Sequence, residues 1–119
     1  MNSEELKQRT KKFAVSVFKF TDTLDDKKLS SRVIAKQLSR AGSSIGANYR
    51  AACKGRSRSD FISKITIVEE ESDECIYWLE ILKELKSGEE IILDSLLKEA
   101  REFTAIFTAS GKTAKENKL

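Results

Sequence analysis

Between Asp26 and Asp60 the chain carries no acid, while Lys27, Lys28, Arg32, Lys36, Arg40, Arg50, Lys54, Arg56 and Arg58 supply nine positive charges. A one-signed block of this kind suits an anionic partner. A face built for solubility alone interleaves both signs, so the missing acids favour a phosphate-binding surface over a merely solvated one. The loop Lys54-Gly55-Arg56-Ser57-Arg58-Ser59 adds hydroxyls and the free amides of a helix start to three of these cations, a combination that fits phosphate oxygens. Arg32, Lys36, Arg40, Arg50, Lys54, Arg56 and Arg58 are therefore the candidate nucleic-acid-binding residues.

The acidic counterpart lies further on. Glu69, Glu70, Glu71, Asp73, Glu74, Glu80 and Glu84 fall within sixteen residues that hold one cation, Lys83. Glu70-Glu71-x-x-Glu74 matches the first half of the EExxE…ExxD carboxylate pattern with which all-α nucleotide pyrophosphohydrolases hold Mg²⁺. The second half is missing, because no later Glu is followed by Asp at plus three; Glu90 and Asp94 are four apart, and Glu99 and Glu102 form only an ExxE pair. The chain has no His, which removes the commonest general base, the Ser-His and Cys-His nucleophiles and the Glu-x-x-His ligands of a di-iron bundle. No catalytic residue, cofactor or metal site is expected. The acids are read instead as solvated, or as paired with Arg9 and Lys12 or with the basic face of a neighbouring subunit.

Helices must position these groups. The chain has 119 residues, no Pro and five Gly, and is rich in Leu, Ile, Ala, Lys and Glu, so helix formers run almost unbroken through what should be one domain. In the basic block Ile34, Leu38, Ala41, Ile45, Asn48 and Ala52 recur at alternating intervals of four and three, one face of an α-helix. At 100° per residue, Arg32, Lys36, Arg40, Arg50 and Lys54 fall at about 160° to 240° from that face. Four helices are predicted over about 4–24, 31–54, 58–86 and 89–109. Their core seams are Leu6, Phe13, Val17, Phe20 and Leu24 in the first; Phe61, Ile65, Val68, Ser72, Cys75, Leu79 and Leu82 in the third; and Leu93, Leu96, Leu97, Ala100, Phe103, Thr104 and Phe107 in the fourth. Ser30 or Ser31 is expected to cap the second helix, Ser57 and Asp60 to form a capping box on the third, and Ser110-Gly111 to close the fourth. Short connections make successive helices antiparallel, giving an all-α, up-down-up-down four-helix bundle over 1–111 with a flexible polar tail over 112–119.

Two further features concern partners. Ile67, Trp78, Ile81 and Leu85 form a second apolar stripe on the third helix, about 120° or more from its core seam. With Arg40, Glu71 and Glu74 beside it, this stripe is the candidate oligomer interface, an Arg-Glu contact there fixing register. Asn48, placed among core residues, is expected to be satisfied by a neighbouring helix. Cys53 and Cys75 lack CxxC spacing, and there is no signal peptide and no apolar run of membrane length, so a reduced, cytoplasmic protein without a membrane partner is expected.

The run Gln37-Leu38-x-Arg40-Ala41-x-Ser43-Ser44-Ile45-x-x-Asn48, followed by Ser59-x-Phe61 and the Glu-rich helix ending Tyr77-Trp78-Leu79-x-x-Leu82, resembles the four-helix-bundle family of 23S ribosomal RNA intervening-sequence proteins. The relatives of that family include the accessory variability proteins of diversity-generating retroelements. The resemblance is strongest over residues 34–82. It implies a ring-shaped homopentamer with a basic surface and, in the retroelement relatives, partnership with structured RNA and a reverse transcriptase. Tyr49-Arg50-Ala51 and Lys54-Gly55-Arg56 stand where many members have acids, a departure toward a more basic loop. The expectation is a non-enzymatic oligomeric RNA-binding or RNA-protein adaptor. The alternatives are a protein-assembly module that binds no nucleic acid and, on the half-motif alone, a Mg²⁺-dependent nucleotide pyrophosphohydrolase.

Overall fold

The computed structural model describes residues 1–116, and within them the chain forms four helices in order: α1 (Ser3–Thr21), α2 (Leu29–Cys53), α3 (Arg58–Glu84) and α4 (Glu90–Glu116). They make an elongated up-down-up-down bundle of 53 × 22 × 20 Å. The main packing runs α1 on α2, α2 on α3 and α3 on α4; α1 and α4 close the ring with the least contact, and α1 and α3 lie diagonally apart. Each helix buries most of its predicted seam: Phe13, Val17 and Phe20 from α1, Ile34, Leu38 and Ile45 from α2, Ile65 to Leu82 from α3 and Leu93 to Phe107 from α4 contribute to one apolar cluster, while Leu24, Asn48, Phe61 and Thr104 are only half-buried.

Helix starts follow local chemistry. Asn2 caps α1, its Oδ1 accepting from the Glu5 amide at 2.8 Å, and Glu4 and Glu5 sit at the positive end of the helix dipole. Ser57 caps α3 by accepting from the Asp60 amide at 3.0 Å. Asp60 does not return the bond to Ser57 as a capping box would; its carboxylate accepts from the Arg56 amide at 3.3 Å and ties down the preceding loop. The second helix begins at Leu29, with Lys28 in the cap position and no side-chain cap, because Ser31 is drawn into the bundle at 3% exposure rather than left at the end. After α3, Lys86 and Gly88 take positive φ, and a Cβ on Gly88 would stand 2.6 Å from Phe20 Cζ, so the return to α4 needs glycine at that point.

Three expectations are corrected. The first helix stops at Thr21 instead of 24, its last backbone groups passing into turn hydrogen bonds through Asp22, Thr23 and Leu24. The fourth helix does not stop at 109. It continues through Ser110 and Gly111 to Glu116, because Ser110 Oγ donates to the Ile106 carbonyl as a helical hydroxyl does and Gly111 lies against Ile65, where an added Cβ would be 3.5 Å from Cγ2. Of the tail expected over 112–119, residues 112–116 are thus helical and 117–119 lie outside the described residues. Asn48 is half-buried and donates to Ser44 O and Oγ of its own helix, both at 2.9 Å, while the core position next to it belongs to Tyr49, 6% exposed and stacked at a tilt on Phe107. Burial, and contact with the Cys53 thiol, push the Tyr49 hydroxyl above its ordinary pKa.

The two thiols differ sharply. Cys53 is exposed; Cys75 is fully buried, and burial followed by the charges of Glu71 and Glu74 pushes its pKa up to about 12 despite Arg40. A thiol reacts as the thiolate. A disulfide-exchange reagent should therefore titrate one thiol per native chain, Cys53, and the second only after denaturation. Two fast-reacting thiols in the native protein would contradict this packing. No helix is long and apolar enough to cross a membrane, among the described residues.

Candidate nucleic-acid interface

The structure divides the predicted basic stripe into three parts with different chemistry. At one end of the bundle, α2 finishes at Cys53, Lys54 and Gly55 donate their amides to Ala51 O and Ala52 O, and Ser57 opens α3. This four-residue turn is tight: a Cβ on Gly55 would lie 3.0 Å from Ala52 O and 3.3 Å from the Phe61 amide nitrogen. It gathers Arg50 and Lys54, one turn apart on α2, with Arg56 and Arg58 on the far side of the turn. All four are exposed, and none forms an ion pair among the described residues. Arg58 occupies the first turn of α3, where the helix dipole is already positive. A cation there works against the helix by a few tenths of a kcal/mol, roughly 0.3–1 at low salt, so the cluster carries an uncompensated field that an anion relieves.

At the other end stand Arg32 and Lys36, both exposed, with Arg32 Nη1 donating to the Asp26 carbonyl at 2.9 Å. Eighteen residues of helix separate Arg32 from Arg50, about 27 Å at 1.5 Å per residue. One compact ligand cannot touch both.

Arg40, between them, is not free. It reaches across to α3, its Nη1 donating to Glu71 at 2.9 Å and its Nη2 to Glu74, and Nε donates to Gln37. Sequence reasoning paired these charges between subunits; the structure joins them within one chain, because α2 and α3 are adjacent and antiparallel and place the three residues at the same level. The pairing also occupies two carboxylates of the Glu70-Glu71-x-x-Glu74 half-motif. Among the described residues no group of three or more His, Cys, Asp or Glu side chains is arranged to hold a metal.

Glu74 is the best-tied of these acids. Burial favours its protonated form, but the Trp78 indole N–H, donating at 3.0 Å, and the Arg40 guanidinium outweigh burial and hold it below the usual carboxylate range. The same carboxylate raises the Arg40 pKa against the opposing effect of desolvation. A carboxylate depressed in the folded state adds stability above its unfolded pKa, and that part is lost as pH falls through the folded value. Arg40→Gln should lower stability at pH 7 by under about 1 kcal/mol, since the guanidinium is half exposed. The gap from wild type should shrink once pH drops below about 4.3 and vanish in stronger acid, as thermal melts across pH will show. A gap unchanged down to strong acid would mean that the ion pair is not its source.

The predicted interface stripe is only partly outward. Trp78 and Ile81 are half-buried and pack against the core, Ile67 is half-buried, and Leu85 is 50% exposed. Tyr77, edge-on to Trp78 and 57% exposed, and Ile91 and Ile92 at the start of α4 are among the exposed apolar groups that sequence reasoning missed, together with Val15, Phe18, Leu29 and Val33. Exposure of Tyr77 was readable from its angle, opposite the α3 seam; that of Ile91 and Ile92 depends on where α4 begins. Arg9 likewise departs from expectation. It donates from Nε and Nη2 to Glu99 at 2.7 and 2.6 Å and from Nη2 to Glu102 at 2.7 Å, beside an open cleft of about 600 Å³ between α1 and α4. It cannot reach the acids of α3, because α1 and α3 are diagonal. Glu80 pairs with Arg101 and Lys83 with Asp94, both toward α4.

Comparison with known proteins places the chain. Residues 3–109 match the model of the family described as 23S rRNA-intervening sequence protein. A crystal structure of a protein of unknown function from the S23 ribosomal protein family of Bacteroides thetaiotaomicron is 33% identical and superposes with a TM-score of 0.78, over 89% of this chain and 97% of that one. No curated protein matches the chain. The chain belongs to the 23S rRNA-intervening sequence protein family, whose name refers to ribosomal RNA.

Proposed function

We propose that this member of the 23S rRNA-intervening sequence protein family is an oligomeric RNA-binding or RNA-protein adaptor of the cytoplasm, holding phosphate with the basic corner at the α2–α3 turn. The observation that carries the reading is the contrast along α2. Arg40, where acids are within reach, is paired, while Arg50, Lys54, Arg56 and Arg58 form a cluster left unpaired among the described residues. Backbone-dominated binding needs little else from the protein. In this reading the chain assembles into a homopentameric ring through its exposed apolar residues, and a reverse transcriptase or another RNA-handling protein is the protein partner. Tyr77, Leu85, Ile91 and Ile92 favour assembly as such, and hence the second reading, a protein-assembly module without nucleic acid.

Two measurements separate these readings. Sedimentation of the purified chain should give a particle of five 13.4 kDa subunits; a monomer at micromolar concentration would remove the ring from both. A fluorescent structured RNA should remain bound when unlabelled duplex DNA is added in excess. Assembly without RNA binding would leave the second reading.

A further inference from the structure

We infer that the RNA surface is one end of the bundle, completed by Lys112 and Lys115 of α4, and that it is built for the phosphate backbone of a paired RNA stem in preference to a single strand. This rests on the RNA-binding reading above and narrows it.

The argument starts from register. α3 and α4 run antiparallel, locked at one level by the Lys83–Asp94 ion pair and at another by the contact of Gly111 with Ile65. Continuing α4 by one helical turn beyond Gly111 brings Lys115 to the level of Phe61 and Ile62, a turn away from Arg58. Lys112 and Lys115 line a shallow cleft with Ile65 and Thr66; Glu69 and Glu116 border it too, yet neither pairs with these lysines. The two lysines are exposed. Arg50, Lys54, Arg56, Arg58, Lys112 and Lys115 thus share one end of a body 22 × 20 Å in cross-section, presented from α2, α3 and α4. The other acids at this end compete little. Glu4 and Glu5 lie at this end on α1, beside α2 and α4, but their carboxylates accept from Gln8 and Asn2 and pair with no cation among the described residues, and the Asp60 carboxylate is turned into the loop backbone.

The aromatic residues decide which RNA. Single-strand binders stack bases on exposed rings along a groove, whereas duplex RNA is held by shape and phosphate contacts. Of the aromatic rings exposed among the described residues, Phe18 belongs to the opposite end of α1 and Tyr77 to the far half of α3. Near the basic end, Tyr49 and Phe107 are buried and Phe61 packs on the core. The cations stand on rigid helix ends and a tight turn, with no ring beside them on which a base could stack.

The test is affinity of the wild-type chain for a fluorescent RNA hairpin stem and for oligo(U) of equal length, across a salt series, repeated with K112Q/K115Q and with K19Q/K86Q, two exposed lysines at the other end of the bundle. The stem should bind at least about tenfold more tightly than oligo(U). K112Q/K115Q should weaken stem binding about tenfold and make the salt slope shallower by roughly 1 to 2, while K19Q/K86Q stays within about twofold of wild type. Circular dichroism checks that each variant folds. Oligo(U) binding as tightly as the stem, or K112Q/K115Q behaving as wild type while the stem still binds, overturns this inference and leaves the RNA reading standing. Binding of neither RNA at low salt removes the RNA reading itself.

Discussion

Phe103→Ala is expected to destabilise the bundle by about 3–5 kcal/mol, lowering the melting temperature by roughly 10–20 °C. Phe103 is fully buried on α4 and stands edge-on to Phe13 of α1, ring centroids 5.4 Å apart at 89°, with Phe107 at 6.0 Å. The Arg9 guanidinium, fixed by Glu99 and Glu102, lies 5.1 Å above the same ring. Because α1 and α4 form the thinnest seam of the bundle, this one side chain carries much of their mutual packing. Truncation removes its transfer energy, leaves a cavity that rigid helices cannot close, and deprives Arg9 of its aromatic partner. Against a total stability of about 5–15 kcal/mol for a domain, the loss should be plain in a denaturant titration. A change below about 1 kcal/mol would mean that α4 repacks on α1 without the ring.

The second large effect concerns binding. R50Q/K54Q/R56Q/R58Q should lower affinity for structured RNA by about 100-fold or more and make the salt slope shallower by roughly 3 to 4, because each cation that contacts phosphate releases a counterion. Stability should hardly move, since all four side chains are exposed and unpaired among the described residues. Removing Arg58 from the positive end of the α3 dipole even favours the fold slightly. Arg40→Gln is the matched control: its charge is already met by Glu71 and Glu74, so RNA affinity should stay within about twofold of wild type. Equal losses from both variants would mean that binding follows net charge and not the corner.

Much of this architecture is legible in the chain before any coordinates. The four-three spacing of Ile34 to Ala52 and of Ile65 to Leu82 names the buried faces because only a helix brings those residues to one side. Legibility fails where two helical positions compete or where the partner lies on another element. Between Asn48 and Tyr49, a spacing of three from Ile45 is as acceptable as four; the structure buries the tyrosine because Phe107 offers its ring a surface. Gly111 reads as a helix stop, but it lies inside α4 against Ile65, where even a Cβ would make only ordinary contact at 3.5 Å, and the packing of α4 on α3 carries the helix through it. The charge pattern announces an acidic and a basic helix. It does not say that Arg40 meets Glu71 and Glu74 inside the chain, or that Arg9 faces α4, since both follow from the order of helices round the bundle. The site suffers the same limit. Arg50, Lys54, Arg56 and Arg58 are visible as a run, but Lys112 and Lys115 join them only through the antiparallel register of α3 and α4.

The most direct test of the central claim, that the unpaired cations at one end of the bundle hold RNA phosphate, is the affinity of the wild-type chain for a structured RNA measured against salt concentration. At least four phosphate contacts predict that log affinity falls against log salt with a slope of about −3 or steeper. A slope near zero, or no binding at low salt, would contradict the claim and leave the basic corner as a solvated surface.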